Sequence, residues 1–145
     1  MDTPIILVTD RNPHVRDFLR REFQAAGLPV RLAKDGYELV ERLPGVTGAC
    51  VLVLDPDLPG LTQPMVLAAI REKSGTDAAA GGHGIVVVLH AFGLPEPTDP
   101  LVQAAALVVE KSGDAGPLKA AVERALRQGA AVAAQDQEEQ DEEGA

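Results

Sequence analysis

Four polar side chains close four apolar runs in this chain: Asp10 after Ile5–Val8, Asp55 after a run from Ala49, His90 after Ile85–Leu89, and Lys111 after Leu107–Val109. Two carboxylates, an imidazole and an ammonium suit phosphoryl or metal chemistry, provided the fold brings them together. The stretch Ala49–Gly60, ACVLVLDPDLPG, is the most telling. An apolar run bounded by turn residues reads as a strand buried on both faces. Pro56 removes an amide donor and pushes Asp55 toward extended geometry. Asp55 therefore belongs at the carboxyl end of a buried strand, where open α/β sheets keep their ligand sites.

The elements around these residues alternate. Ile5–Val8 reads as a strand, and Asn12-Pro13 as a helix start with Val15, Phe18, Leu19, Phe23 and Ala26 at helical spacing up to Gly27. Leu28–Ala33 reads as an edge strand and Tyr37–Leu43 as a short helix after the Asp35-Gly36 turn. After the Asp55 strand, Gln63–Lys73 reads as a helix that packs through Met65, Leu67, Ala68 and Ile70, and Ser74–Gly84 as a Gly/Ala/Ser loop. The Ile85–Leu89 strand, a helix over Asp99–Ala106 and the Leu107–Val109 strand follow. A last helix capped by Asp114 presents Leu118, Ala121, Val122, Ala125 and Leu126 on one face, to about Gln128. Five β-α units predict an α/β fold: a flavodoxin-like (βα)5 three-layer sandwich with a parallel sheet in the order 2-1-3-4-5. One domain over 1–130 and an acidic, disordered tail over 131–145 are expected.

That order makes strands one and three neighbours, so Asp10 and Asp55 share a crevice. Their charges repel unless a cation sits between them. Mg²⁺, which uses one or two carboxylates plus water, satisfies both. Lys111, arriving from strand five, is placed to contact an anion held on Asp55.

The segments ILVTDRNPHVRDFLRREF, VLVLDPDLPG, IVVVLHA and LVVEKS resemble, in order and spacing, the receiver domain of bacterial two-component response regulators. The resemblance covers roughly Thr3–Gln128, with Asp55 standing four residues before Pro59 as the family's phosphoacceptor does. It implies a phosphorelay signalling domain rather than an enzyme. Asp55 takes a phosphoryl group from a histidine kinase or phosphotransfer protein. Asp10, Asp55 and the backbone carbonyl of Asp57 hold Mg²⁺, and Lys111 pairs with the acyl phosphate. Four departures accompany it. Thr9 stands where the family has a second acidic residue, which weakens the expected metal site. His90 replaces the hydroxyl residue of the family's switch, and Val108 replaces its aromatic partner. Ser112 follows Lys111 where the family has proline, so a trans bond is expected there, since a cis non-proline bond costs about 2.5–4 kcal/mol.

Composition narrows the alternatives. The net charge is −9, with most of it in Gln135–Ala145. Aromatics are 3% and tryptophan is absent, which argues against stacking platforms or a basic groove for nucleic acid. Cys50 is the only cysteine and sits in an apolar run, as a buried core residue would. His14 and His83 have no zinc-ligand spacing. No stretch approaches the ~18 apolar residues of a membrane span, and the acidic start predicts a cytoplasmic location without a secretory leader. Output is expected through a downstream protein partner, with a homodimer over Ala104, Ala105, Val122 and Ala125. Two other readings stay open: an interaction module that works without phosphate, and a haloacid-dehalogenase-type phosphatase, whose paired aspartates Asp55-Pro56-Asp57 resemble. Against the latter, this motif follows a complete β-α-β-α rather than the first strand.

Overall fold

The computed structural model describes residues 4–43, 50–73 and 85–127. Five strands, β1 (Ile5–Thr9), β2 (Val30–Ala33), β3 (Cys50–Leu54), β4 (Ile85–Ala91) and β5 (Leu107–Glu110), form one parallel sheet in the order β2-β1-β3-β4-β5. The helices are α1 (Pro13–Ala25), α2 (Gly36–Arg42), α3 (Pro64–Lys73), α4 (Pro100–Ala104) and α5, residues 116–127 among those described. This is the flavodoxin-like α/β fold expected from the alternation. The Ser74–Gly84 loop, His83 and the acidic tail lie outside the described residues.

Side chains alternate along each strand and divide the core into two layers. Leu7, Leu52, Leu54, Ile85, Val87 and Leu89 pack with Leu39 of α2, Val66 and Ile70 of α3 and Leu101 of α4. Ile6, Val8, Val51, Val53 and Val88 pack with Leu19 and Phe23 of α1 and Leu118, Val122 and Ala125 of α5. β3 is central and buried at every position. Cys50 is buried with it, and desolvation pushes its thiol up to about 12.

Several expectations shift in detail. β4 runs two residues further than expected, because His90 and Ala91 still pair with Val109 and Glu110. Asp35 is the N-cap of α2, accepting from the Glu38 amide, so Gly36 is the first residue of the helix rather than part of a turn. In α3 Leu67 and Ile70 pack toward the core as expected and Val66 joins them, while Met65, 62% exposed, and Ala68 turn to solvent. The α5 half of the expected dimer face is corrected as well, while Ala104 and Ala105 are half-buried. Val122 and Ala125 are fully buried under the sheet, since α5 spends its apolar stripe on the core, and they are not available to a second copy.

Gly36 shows how tightly the front of the molecule is joined. Its amide donates to the Pro59 carbonyl at 2.7 Å. A Cβ at this position would stand 2.7 Å from the Gly60 carbonyl oxygen, a backbone atom that cannot turn away. α2 thus holds the loop that follows Asp55. Gly36→Ala is expected to cost about 1–3 kcal/mol, read as a lowered urea midpoint with an unchanged slope.

Candidate functional site

The strand ends assemble the site through register and parity. Val8 pairs with Val53, which sets Asp10 beside Asp55 two residues on. Leu54 pairs with Leu89, which sets Asp55 beside His90. Asp10 continues the face of Ile6 and Val8, Asp55 that of Val51 and Val53, and His90 that of Val86 and Val88. Lys111 continues the face of Leu107 and Val109. All four project on the α1/α5 side of the sheet. Thr9 and Val108 have the opposite parity.

Lys111 joins the two carboxylates. Its Nζ lies 3.0 Å from Asp10 Oδ2 and 3.3 Å from Asp55 Oδ1. The three side chains are 8%, 2% and 1% exposed, so this is a buried ionic cluster. Backbone amides also meet the carboxylates. The Asp57 amide donates to Asp55 Oδ1 at 2.9 Å and the Arg11 amide to Asp55 Oδ2 at 3.1 Å. The Asn12 amide donates to Asp10 Oδ1 at 2.9 Å, and Arg16 Nη1 to the Asp10 carbonyl at 2.5 Å. Asp10 Oδ2 has the ammonium nearby but no partner in hydrogen-bond geometry. The Lys111 amide donates to the Ala91 carbonyl at 2.7 Å, extending the β4–β5 ladder to the lysine. No cis peptide occurs among the described residues, so the Lys111–Ser112 bond is trans.

Thr9 has a structural task. Its hydroxyl donates to the Val53 carbonyl at 2.9 Å and accepts from the Asp55 amide at 3.2 Å. The hydroxyl thereby latches β1 to β3 directly under Asp55. Thr9→Val keeps the shape but leaves the Asp55 amide without this acceptor. It is expected to lower stability by about 1–3 kcal/mol, measured by urea unfolding.

Among the described residues no group of three or more His, Cys, Asp or Glu converges as a metal cluster. The donor set present is Asp10 and Asp55, and Asp10 Oδ2 is buried with the Lys111 ammonium 3.0 Å away but without a hydrogen-bond partner. Two hard oxygen donors of this kind fit Mg²⁺, which retains several waters. Asp57 is exposed, and its amide closes a turn onto Asp55.

His90 is buried, with Nδ1 lacking a partner. It lines a cavity of about 360 Å³ together with His14, Phe18, Ser112 and Leu118, between α1 and the segment after β5. Burial holds its pKa below the ordinary 6.5, and the Lys111 charge pushes it further down; Asp10 and Asp55 act the other way. His90 is thus harder to protonate in the folded state than in the unfolded chain. The unfolded chain takes up the proton more readily, so stability falls as pH drops through the ordinary imidazole range and recovers as pH rises. Between about pH 7.5 and 5.5, the wild-type urea midpoint should fall more than that of His90→Gln. Equal slopes would remove His90 as the source.

One contact was not anticipated from sequence: the Phe92 ring lies beside Lys111, with 4.8 Å from Nζ to the ring centroid. The signal was available, since Phe92 shares the parity of Val88 and His90.

No protein-family model and no curated protein matches the sequence. Solved structures do. The response regulator TrrA of Thermotoga maritima, solved with Mg²⁺ and BeF, is 25% identical, covers 86% of this chain and 99% of its own, with a TM-score of 0.65. TrrA in complex with the histidine kinase ThkA is 26% identical over 86% of this chain and 99% of that one, TM-score 0.61. The N-terminal domain of a response regulator/sensory box/GGDEF protein from Carboxydothermus hydrogenoformans shares the fold at 22% identity, covering 89% and 98%, TM-score 0.68. The fold is the one shared by these response-regulator receiver domains. Among the described residues no helix is long and apolar enough to cross a membrane.

Proposed function

We propose that this receiver domain accepts a phosphoryl group on the Asp55 carboxylate and signals through protein contacts. One observation carries the reading. Two buried carboxylates from adjacent strands converge on one buried ammonium at the carboxyl end of the sheet. A carboxylate oxygen of Asp55 attacks the phosphorus of a phosphohistidine or a small acyl phosphate. The P–N or P–O bond to the donor breaks, and the donor leaves with the electron pair. The Asp57 and Arg11 amides orient the carboxylate for that attack. Lys111 pairs with the anion formed. Asp10 and Asp55, with the Asp57 carbonyl, would hold Mg²⁺, whose charge offsets that of the incoming phosphoryl oxygens. A kinase or phosphotransfer protein is the partner proposed here, a reading supported by TrrA, which is solved with a histidine kinase.

A second reading has its own support. The Thr9 hydroxyl is committed to Val53 and Asp55 backbone and supplies no carboxylate. His90 and Val108 face opposite sides of the sheet, so they form no switch pair. An interaction module that works without phosphate would tolerate both features. The Asp55-Pro56-Asp57 motif, by contrast, closes the central third strand rather than the first, which leaves the phosphatase reading without support.

The two surviving readings part in one experiment. Protein incubated with Mg²⁺ and acetyl phosphate should gain the mass of one phosphoryl group by intact mass spectrometry. Asp55→Asn should gain none, and omission of Mg²⁺ should slow the gain. A wild-type chain that stays unmodified with either acetyl phosphate or a phosphorylated donor would leave the phosphate-independent module as the function.

A further inference from the structure

The Phe92 contact is dictated by the ladder. Ala91 pairs with Glu110, and the Lys111 amide reaches back to the Ala91 carbonyl, so the next step of the register sets Phe92 beside Lys111. Gly93 follows at φ +70, a left-handed turn that a side chain would strain, and it leads the chain away directly after the ring. The ring is 69% exposed, whereas the ammonium it covers belongs to a side chain only 8% exposed. A large aromatic left this open to water packs little against the core. Its defined neighbour is a cation at 4.8 Å, within the range where the ring's quadrupole attracts it. Lys111 thus has three attractions: Asp10, Asp55 and the ring.

We propose that Phe92 is a positioning residue for Lys111, and that it carries the charge state of the crevice to the surface. From outside, the ring holds the ammonium in place between the carboxylates and covers it from solvent. Charge added at Asp55 or between the carboxylates redistributes the ammonium among its partners. The ring responds because it has little else to hold it. Val108 does not serve this purpose, since it packs into the opposite layer against the α2–α4 core. The positioning half stands on geometry alone; the signalling half rests on the phosphoacceptor reading.

Two measurements on the full chain test this. The first is acylation of lysines by an acetyl N-hydroxysuccinimide ester, followed by peptide mass spectrometry, with the exposed Lys34 as internal reference. Phe92→Ala should raise Lys111 labelling about threefold or more relative to Lys34. Phe92→Leu, which keeps apolar cover without the π face, should fall between, and Phe92→Trp should match the wild type. Unchanged labelling in a folded Phe92→Ala, or a Leu variant equal to wild type, overturns the cation–π assignment. The second uses the absence of tryptophan in this chain, which makes Phe92→Trp the single tryptophan, excited at the red edge where Tyr37 does not absorb. Its emission should shift with Mg²⁺ plus beryllofluoride, and Asp55→Asn in the same background should abolish the shift. Emission that stays constant while Asp55 gains a phosphoryl group overturns the signalling half. A wild type that gains none removes the phosphoacceptor reading and the signalling half with it, and the acylation result still decides the positioning half.

Discussion

Burying Asp10 and Asp55 side by side is the constraint that the rest of the site answers. A carboxylate taken out of water costs several kcal/mol unless charge and hydrogen bonds replace its hydration. Two together add mutual repulsion. The chain answers with the Lys111 ammonium at 3.0 and 3.3 Å and three backbone amides, from Arg11, Asn12 and Asp57. Such a cluster adds little net stability as a whole, yet losing one member leaves an uncompensated charge. Its value is that the crevice stays charged and pre-arranged.

The sheet makes that arrangement inexpensive. Parallel strands in register bring residues from distant parts of the chain to one level, and the two-residue period assigns each to a face. Asp10, Asp55, His90 and Lys111 share a face because each continues the row packed beneath α1 and α5. A shift of one residue in any strand would turn its group to the other layer. The register is protected by the apolar rows beneath and, between β1 and β3, by the Thr9 hydroxyl. Behind the site, the contact of Gly36 with Pro59 and Gly60 holds the loop that follows Asp55.

The departures from the receiver pattern form a coherent set. Thr9 exchanges a carboxylate for a backbone latch, so the crevice carries less negative charge and one fewer oxygen donor. His90, buried and harder to protonate than in the unfolded chain, places an imidazole where a small hydroxyl is expected, and it opens toward a cavity bounded by α1 and the segment after β5. Val108 packs, partly buried, against the other layer. With the usual pair gone, the aromatic in contact with the lysine is Phe92, on the loop after β4.

The sequence by itself determined the strands, their order and the residues at their ends. Apolar runs that stop at Asp, His or Lys are local signals, and a βα alternation leaves few topologies open. It also located the cap at Asn12, because a side chain bonding its own neighbours needs no distant partner. Only the tertiary structure decided which helix faces were consumed. Met65 and Val66 are equally apolar, and Val122 reads the same whether it meets a sheet or a second molecule; the pitch of each helix against the sheet settles both. The tasks of Thr9 and Phe92 were likewise out of local reach. One bonds to backbone 44 and 46 residues away, and the other meets a lysine from the next strand. Both contacts exist only because strand pairing closes distances that the chain's own spacing does not encode.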